Sequence, residues 1–138
     1  MIRYLIDSSA LWRILRDDDL RSAWAEHIAS GAIGSCQVQR AEFRRSARNV
    51  DEYEQMTATF DDLYPDAPLP KTAWRWIEAA QHRLVRHGAR RALSVTDLLI
   101  SATAAHHGLV VLHDENDFVL AARHLSDLVE RNVRDAPG

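Results

Sequence analysis

Four acidic points in this 138-residue chain stand where carboxylates do metal chemistry: Asp7, Glu42, Asp97 and the run Asp114-Glu115-Asn116-Asp117. Asp7 follows directly on the apolar run Ile2-Arg3-Tyr4-Leu5-Ile6. The acidic run follows Leu109-Val110-Val111-Leu112-His113 in the same way. Asp97 opens an apolar helical stretch in Ser94-Val95-Thr96-Asp97, and Glu42 shares a helix face with Val38 and adjoins Ala41. Each acid alone has an ordinary explanation. Asp7 and Asp97 suit helix N-termini, Glu42 can pair with Arg45 or Arg48, and the acidic run can be a solvated loop. Together they point further. Four independent caps have no need to converge, and clustered carboxylates repel one another unless a cation holds them. Hard oxygen donors of this kind fit Mg²⁺, with Mn²⁺ as a substitute, water and a substrate phosphate completing the shell.

Convergence requires elements that carry these residues to one place. Residues 2–6 read as a short strand, and Asp7-Ser8-Ser9 caps a helix running through Leu15. Asp17 opens a second helix, with Leu20, Trp24 and Ile28 on one face and Gly31 at its end. Residues 32–36 form a weak strand, and residues 37–48 and 53–63 read as helices. Pro65, Pro68 and Pro70 make a loop that no helix crosses. Ala73, Ile77, Ala80 and Leu84 mark the next helix. Trp74 and Trp76, two apart on it, cannot both face one core. Ser94 and Asp97 are spaced as a capping box for a helix closed by Gly108. Residues 109–112 have the continuous apolar character of a strand buried on both faces, residues 118–125 look helical, and residues 128–133 suit an edge strand. Strand–helix alternation with short connections predicts an α/β fold around a small parallel sheet, with ligands outside the carboxyl ends of its strands.

Composition removes several other classes. Twenty acidic and 17 basic side chains give a net charge of −3, and 46% hydrophobic against 27% charged residues suits one packed domain over residues 1–138. The single cysteine, Cys36, excludes an internal disulfide and a cysteine-only zinc site. No apolar run approaches the ~20 residues of a membrane span, and Arg3 and Asp7 interrupt the stretch a signal peptide would need. A cytoplasmic location is therefore expected. Sixteen of the 17 basic residues are arginine, leaving Lys71 as the one lysine. A phosphate-binding Gly-x-x-x-x-Gly-Lys loop is thereby excluded. The first strand lacks the glycine-rich turn of a dinucleotide site, and no His-Glu-x-x-His or Gly-x-Ser-x-Gly occurs.

Four segments in order resemble the PIN-domain nucleases, and among them the VapC-like toxins of bacterial type II toxin–antitoxin pairs. These are Leu5-Ile6-Asp7-Ser8-Ser9-Ala10-Leu11, Ala41-Glu42-Phe43, Val95 through Ala104, and Val111-Leu112-His113-Asp114-Glu115-Asn116-Asp117-Phe118. The resemblance implies a three-layer sandwich with a parallel sheet of about five strands between helices. It also implies Mg²⁺-dependent hydrolysis of RNA phosphodiesters, with Asp7, Glu42 and Asp97 as catalytic metal ligands. Members of the family place an aspartate where this chain has Glu115, so Glu115, Asp117 or Asp114 fills the fourth position. Ser9 is a possible supporting hydroxyl. Arg40, Arg44 and Arg45 form a basic cluster that is either an RNA-binding face or a solvated helix surface. The implied partners are an RNA substrate, a second copy of the chain, and a VapB-like antitoxin whose C-terminal segment lies in a groove near the acids. Two other readings remain open: an inactive PIN-like interaction module, and a PIN nuclease of RNA processing without an antitoxin.

Overall fold

The computed structural model describes residues 1–137. β1 (Tyr4–Ile6) leads into α1 (Ser8–Arg16) and α2 (Asp18–Ala29), and β2 (Ile33–Gly34) into α3 (Gln37–Arg44), α4 (Val50–Leu63) and α5 (Ala73–Arg86). α6 (Val95–His107), β3 (Val110–His113), α7 (Asn116–Ala122) and β4 (Val129–Asn132) complete the order. The sheet is wholly parallel, in the order β2-β1-β3-β4. Leu5 pairs with Gly34 on one side and Val111 on the other. The chain thus winds outward from β1 to β2, then returns to the far side of β1 for β3. That reversal opens a crevice at the carboxyl ends of β1 and β3, the place where acids end both strands.

The alternation of side chains along the strands builds two cores. Leu5 and Val111 face one side, packed with Ile77 and Leu84 of α5, Leu98 and Ile100 of α6, and Phe118 of α7. Tyr4, Ile6 and Leu112 face the other, with Leu11 and Ile14 of α1, Trp24 of α2, Phe43 and Phe60. Helices cover both faces, giving the three layers. α6 is buried nearly all round, because α3 and α5 pack on it while it lies against the sheet. Truncating a residue such as Leu98 or Leu112 to alanine costs about 2–5 kcal/mol in such surroundings.

The expected sheet of about five strands has four. Beyond β2 only a single parallel bridge forms, Ser35 with Asp66, since Pro65, Pro68 and Pro70 have no N–H to extend a ladder. A side chain at Gly34 would place its Cβ 2.9 Å from the Pro65 carbonyl and from Ile2, so this crowded edge requires glycine. The helix expected over residues 37–48 stops at Arg44. The Ser46 hydroxyl donates to the Phe43 carbonyl (2.7 Å), and Asn49 starts α4 by accepting from Glu52 N–H. Gly108 ends α6 at φ 68°, as a left-handed cap. Trp74 is exposed, whereas the half-buried Trp76 donates its indole N–H to Asp127 (2.7 Å). Among the described residues, no helix is long and apolar enough to cross a membrane.

Candidate metal centre

Asp7 sits at the junction of β1 and α1. Its N–H donates to the Leu112 carbonyl (2.9 Å), which carries the β1–β3 ladder one residue past the strand. Its side chain caps α1: Oδ2 accepts from Ser9 N–H at 3.1 Å and from the Ser9 hydroxyl at 2.6 Å. The capping role and a site role are therefore compatible, because both bonds fall on one oxygen and leave Oδ1 for a ligand. Ser9 Oγ also accepts from the backbone N–H of Asp114 at 2.9 Å, tying the loop after β3 to the first turn of α1.

Asp97 lies in the first turn of α6, where the Ser94 side chain accepts its N–H. Glu115 is the N-cap residue of α7 and makes no side-chain cap bond, which frees its carboxylate. Oxygen atoms of Asp7, Asp97 and Glu115 lie within 4.8 Å of one another. Asp7 is buried, and Asp97 and Glu115 are half-buried. No arginine, lysine or histidine of the described residues forms an ion pair with any of the three. Burial pushes the Asp97 carboxyl up to about 6, with the charges of Asp7 and Glu42 adding to it while Ser94 opposes. Burial likewise pushes Glu115 up to about 7, reinforced by Asp7, Asp97, Asp117 and Glu42. An oxygen-only donor set this crowded and uncompensated fits a hard divalent cation, which would relieve the repulsion.

The other expected residues are distributed around this triangle. Glu42 is half-buried on α3 and lies outside it, near enough for its charge to act on both Asp97 and Glu115. Asp117 is exposed in the first turn of α7, and its charge acts on Glu115. Asp114 turns away. Burial works against its ionisation, but Arg134 (2.8 Å) and Arg13 (3.0 Å) outweigh that and hold its carboxyl below the usual range.

Of the basic cluster, Arg40 is buried and cannot present itself to a phosphate, contrary to expectation. Its guanidinium donates to Ser35 Oγ (2.8 Å), the Tyr64 carbonyl (2.8 Å) and Asp61 (3.2 Å). It braces β2 against the end of α4. Arg44 is half-buried over the Tyr53 ring and donates to Thr57, while Arg45 is exposed at the end of α3. Two features escape a reading of the residues in order. Arg13 and Arg134 meet at Asp114 from opposite ends of the chain, a contact no local pattern reveals. Gln39, fully buried, donates to Ser8 Oγ at 3.3 Å, next in the chain to Asp7. Its signal was available, since Gln39 and Phe43 share the buried face of α3 at spacing i, i+4.

The PIN domain family profile matches residues 4–124. Ribonuclease VapC6 of Mycobacterium tuberculosis is 62% identical over 108 residues, covering 78% of this chain and 85% of that protein. Ribonuclease VapC21 of the same organism is 31% identical over 136 residues, covering 99% and 96%. The chain belongs to the PIN-domain family, and VapC ribonucleases are among its relatives. Its fold matches that of solved structures as well. VapBC2 from Rickettsia felis bound to a promoter DNA fragment aligns with a TM-score of 0.76 at 14% identity, over 96% of this chain and 98% of that one. VapBC-5 from Mycobacterium tuberculosis aligns at 0.63 and 21%, over 96% and 99%.

Proposed function

We propose that residues 1–138 form one PIN-like domain that acts as a Mg²⁺-dependent endoribonuclease, the toxin of a VapBC-type pair. The observation that carries this reading is the uncompensated triangle of Asp7, Asp97 and Glu115 at the sheet's reversal point, in a chain 62% identical to a protein named as a ribonuclease. Asp7, Asp97 and Glu115 would hold the ion, and Glu42 and Asp117 would act from around them. Ser9 holds Asp7 in orientation and secures the Asp114 backbone. When bound there, a divalent cation would supply charge stabilisation at the scissile phosphate and activation of the attacking water. The chain's own part is to hold the carboxylates at fixed spacing on β1, α6 and the loop after β3. Arg44 and Arg45, on the rim of α3, are the remaining phosphate contacts of the basic cluster.

The antitoxin's place is the apolar groove lined by Leu11, Trp12, Leu15, Phe43, Met56 and Phe60. The ring of Trp12 lies against Phe43 in its wall, with Arg16 stacked on it at 4.7 Å. An amphipathic segment of a VapB-like partner would bury its apolar side chains there, close along α1 to Asp7. The active species is a homodimer in the cytoplasm.

The test is cleavage of a labelled RNA pool by wild-type protein and by Asp7→Asn/Asp97→Asn, each with Mg²⁺, Mn²⁺ and EDTA. Discrete cuts that need metal and vanish in the variant are expected. Folded, antitoxin-free protein that neither cuts RNA nor binds Mg²⁺ would favour the inactive-module reading.

A further inference from the structure

β3 ends in a histidine that the site as described leaves unused. His113 is fully buried, yet both ring nitrogens are engaged. Nδ1 lies 3.0 Å from the backbone nitrogen of Glu115, and Nε2 lies 2.8 Å from Oε1 of Glu130 on β4. A backbone N–H only donates, so Nδ1 must accept and carries no proton. The ring proton therefore sits on Nε2 and is donated to the Glu130 carboxylate. Phe118 packs against the ring's flank, with centroids 5.1 Å apart.

The consequence falls on the loop that follows. Two successive backbone N–H groups are tied down, Asp114 to Ser9 on α1 and Glu115 to His113 on β3. With both fixed, the neighbouring side chains diverge. Asp114 goes to Arg13 and Arg134, and Glu115 goes to Asp7 and Asp97. Without the second tie the Glu115 peptide is free to rotate. A glutamate, with one more methylene than the family's aspartate, then has many conformations to lose on reaching the cluster.

We propose that His113 is a positioning residue: held as the Nε2–H tautomer by Glu130, it fixes the Glu115 backbone so that the carboxylate meets Asp7 and Asp97. Edge strand β4 is thereby coupled to the metal centre. The proposal rests on the reading of these three acids as metal ligands. A residue that merely filled space between β3 and α7 would be replaceable by any ring of similar size.

Two substitutions separate the cases. His113→Phe keeps a ring but removes the acceptor. His113→Asn keeps an acceptor oxygen near the place of Nδ1 and gives up the link to Glu130, which is partly exposed and can be solvated. Mn²⁺ affinity is measured by calorimetry on the whole chain, and nitrogen-detected NMR reports the His113 tautomer and the Glu115 amide. We expect His113→Phe to weaken Mn²⁺ binding about 10–100-fold and His113→Asn to stay within about threefold of wild type, the range that supporting partners of metal ligands command. The wild-type spectrum should show a proton on Nε2 and none on Nδ1. Undiminished Mn²⁺ binding by folded His113→Phe, equal losses in the two variants, or an Nδ1–H tautomer would overturn the proposal. Should His113→Phe not fold, the asparagine variant and the wild-type spectrum decide. Wild-type protein that binds no Mn²⁺ defeats the metal reading instead, and the spectrum still accepts or rejects the bond between His113 and Glu115.

Discussion

Asp114 and Glu115 are neighbours in one loop and occupy opposite electrostatic worlds. Asp114 is clasped by two guanidiniums and ionises more readily than a free carboxylic acid, despite its burial. Glu115 has no cation beside it, faces four other carboxylates, and is pushed up to about 7. The first is a finished structural ion pair joining α1, the β3 loop and the segment after β4. The second is an unfinished site whose counter-charge must come from outside the chain. Residue type does not separate the two roles, and neither does position along the sequence. What separates them is whether the fold delivers an arginine.

The largest expected effect comes from breaking the unfinished side. Asp97→Asn should lower RNA cleavage by at least about 100-fold, since loss of a ligand should exceed what loss of a supporting group costs. Asp114→Asn should leave cleavage within a few-fold of wild type, and single-turnover rates on one labelled RNA would compare the two. A comparable loss from both substitutions would collapse the distinction.

Arg40 sharpens the contrast from the basic side, because its charge is completed internally rather than offered to a ligand. Arg40→Ala should destabilise the fold by about 2 kcal/mol, by stripping a donor from Ser35 Oγ and from the Tyr64 carbonyl, which keep only the bond between them. Arg45→Ala should leave stability unchanged. Urea unfolding followed by tryptophan fluorescence measures both.

The two acids also predict opposite responses to pH. Asp97 and Glu115 have folded-state values raised to about 6 and about 7, above their ordinary 3.8 and 4.5. The folded state therefore takes up their protons first. Metal-free stability from this pair should rise as pH falls from about 8 to about 4. Asp114 and Glu52 contribute with the opposite sign. Arg134 and Arg13 outweigh burial at Asp114, and Arg48 holds Glu52 down at about 2. Their stabilisation is present at neutral pH and lost in strong acid. Thermal unfolding in EDTA should show the first trend, and added Mg²⁺ should stabilise at pH 8 far more than at pH 5. A smaller effect is that of Asp114→Asn on unfolding, a drop of about 3 °C from weakening its pairs with Arg13 and Arg134, whose guanidiniums are themselves well exposed.

Much of this was legible in the residues. Asp7 stands where an apolar strand ends and a helix begins, and Asp97 stands in the first turn of another helix, so local pattern and site position coincide. The spacing of Trp74 and Trp76 showed that both could not face one core, but not that Trp74 is the exposed one, and the continuous apolar run at residues 109–112 did not show how the strands divide between two sheet faces. Glu115 could not be told from Asp114, because the deciding partners, Arg13 and Arg134, lie 101 and 20 residues away. Arg40 read as part of a basic helix face, since its partners on β2 and α4 meet it only after the chain folds back. The strand count was lost at Pro65–Pro70, where an extended segment runs beside β2 but lacks the N–H groups to join it.

The most direct test of the central claim is anomalous diffraction from crystals of the protein grown with Mn²⁺. An anomalous peak enclosed by Asp7, Asp97 and Glu115, absent from Asp97→Asn crystals, is the expected result. Well-ordered crystals with no peak at that cluster, or with an arginine closing it instead, would contradict the account.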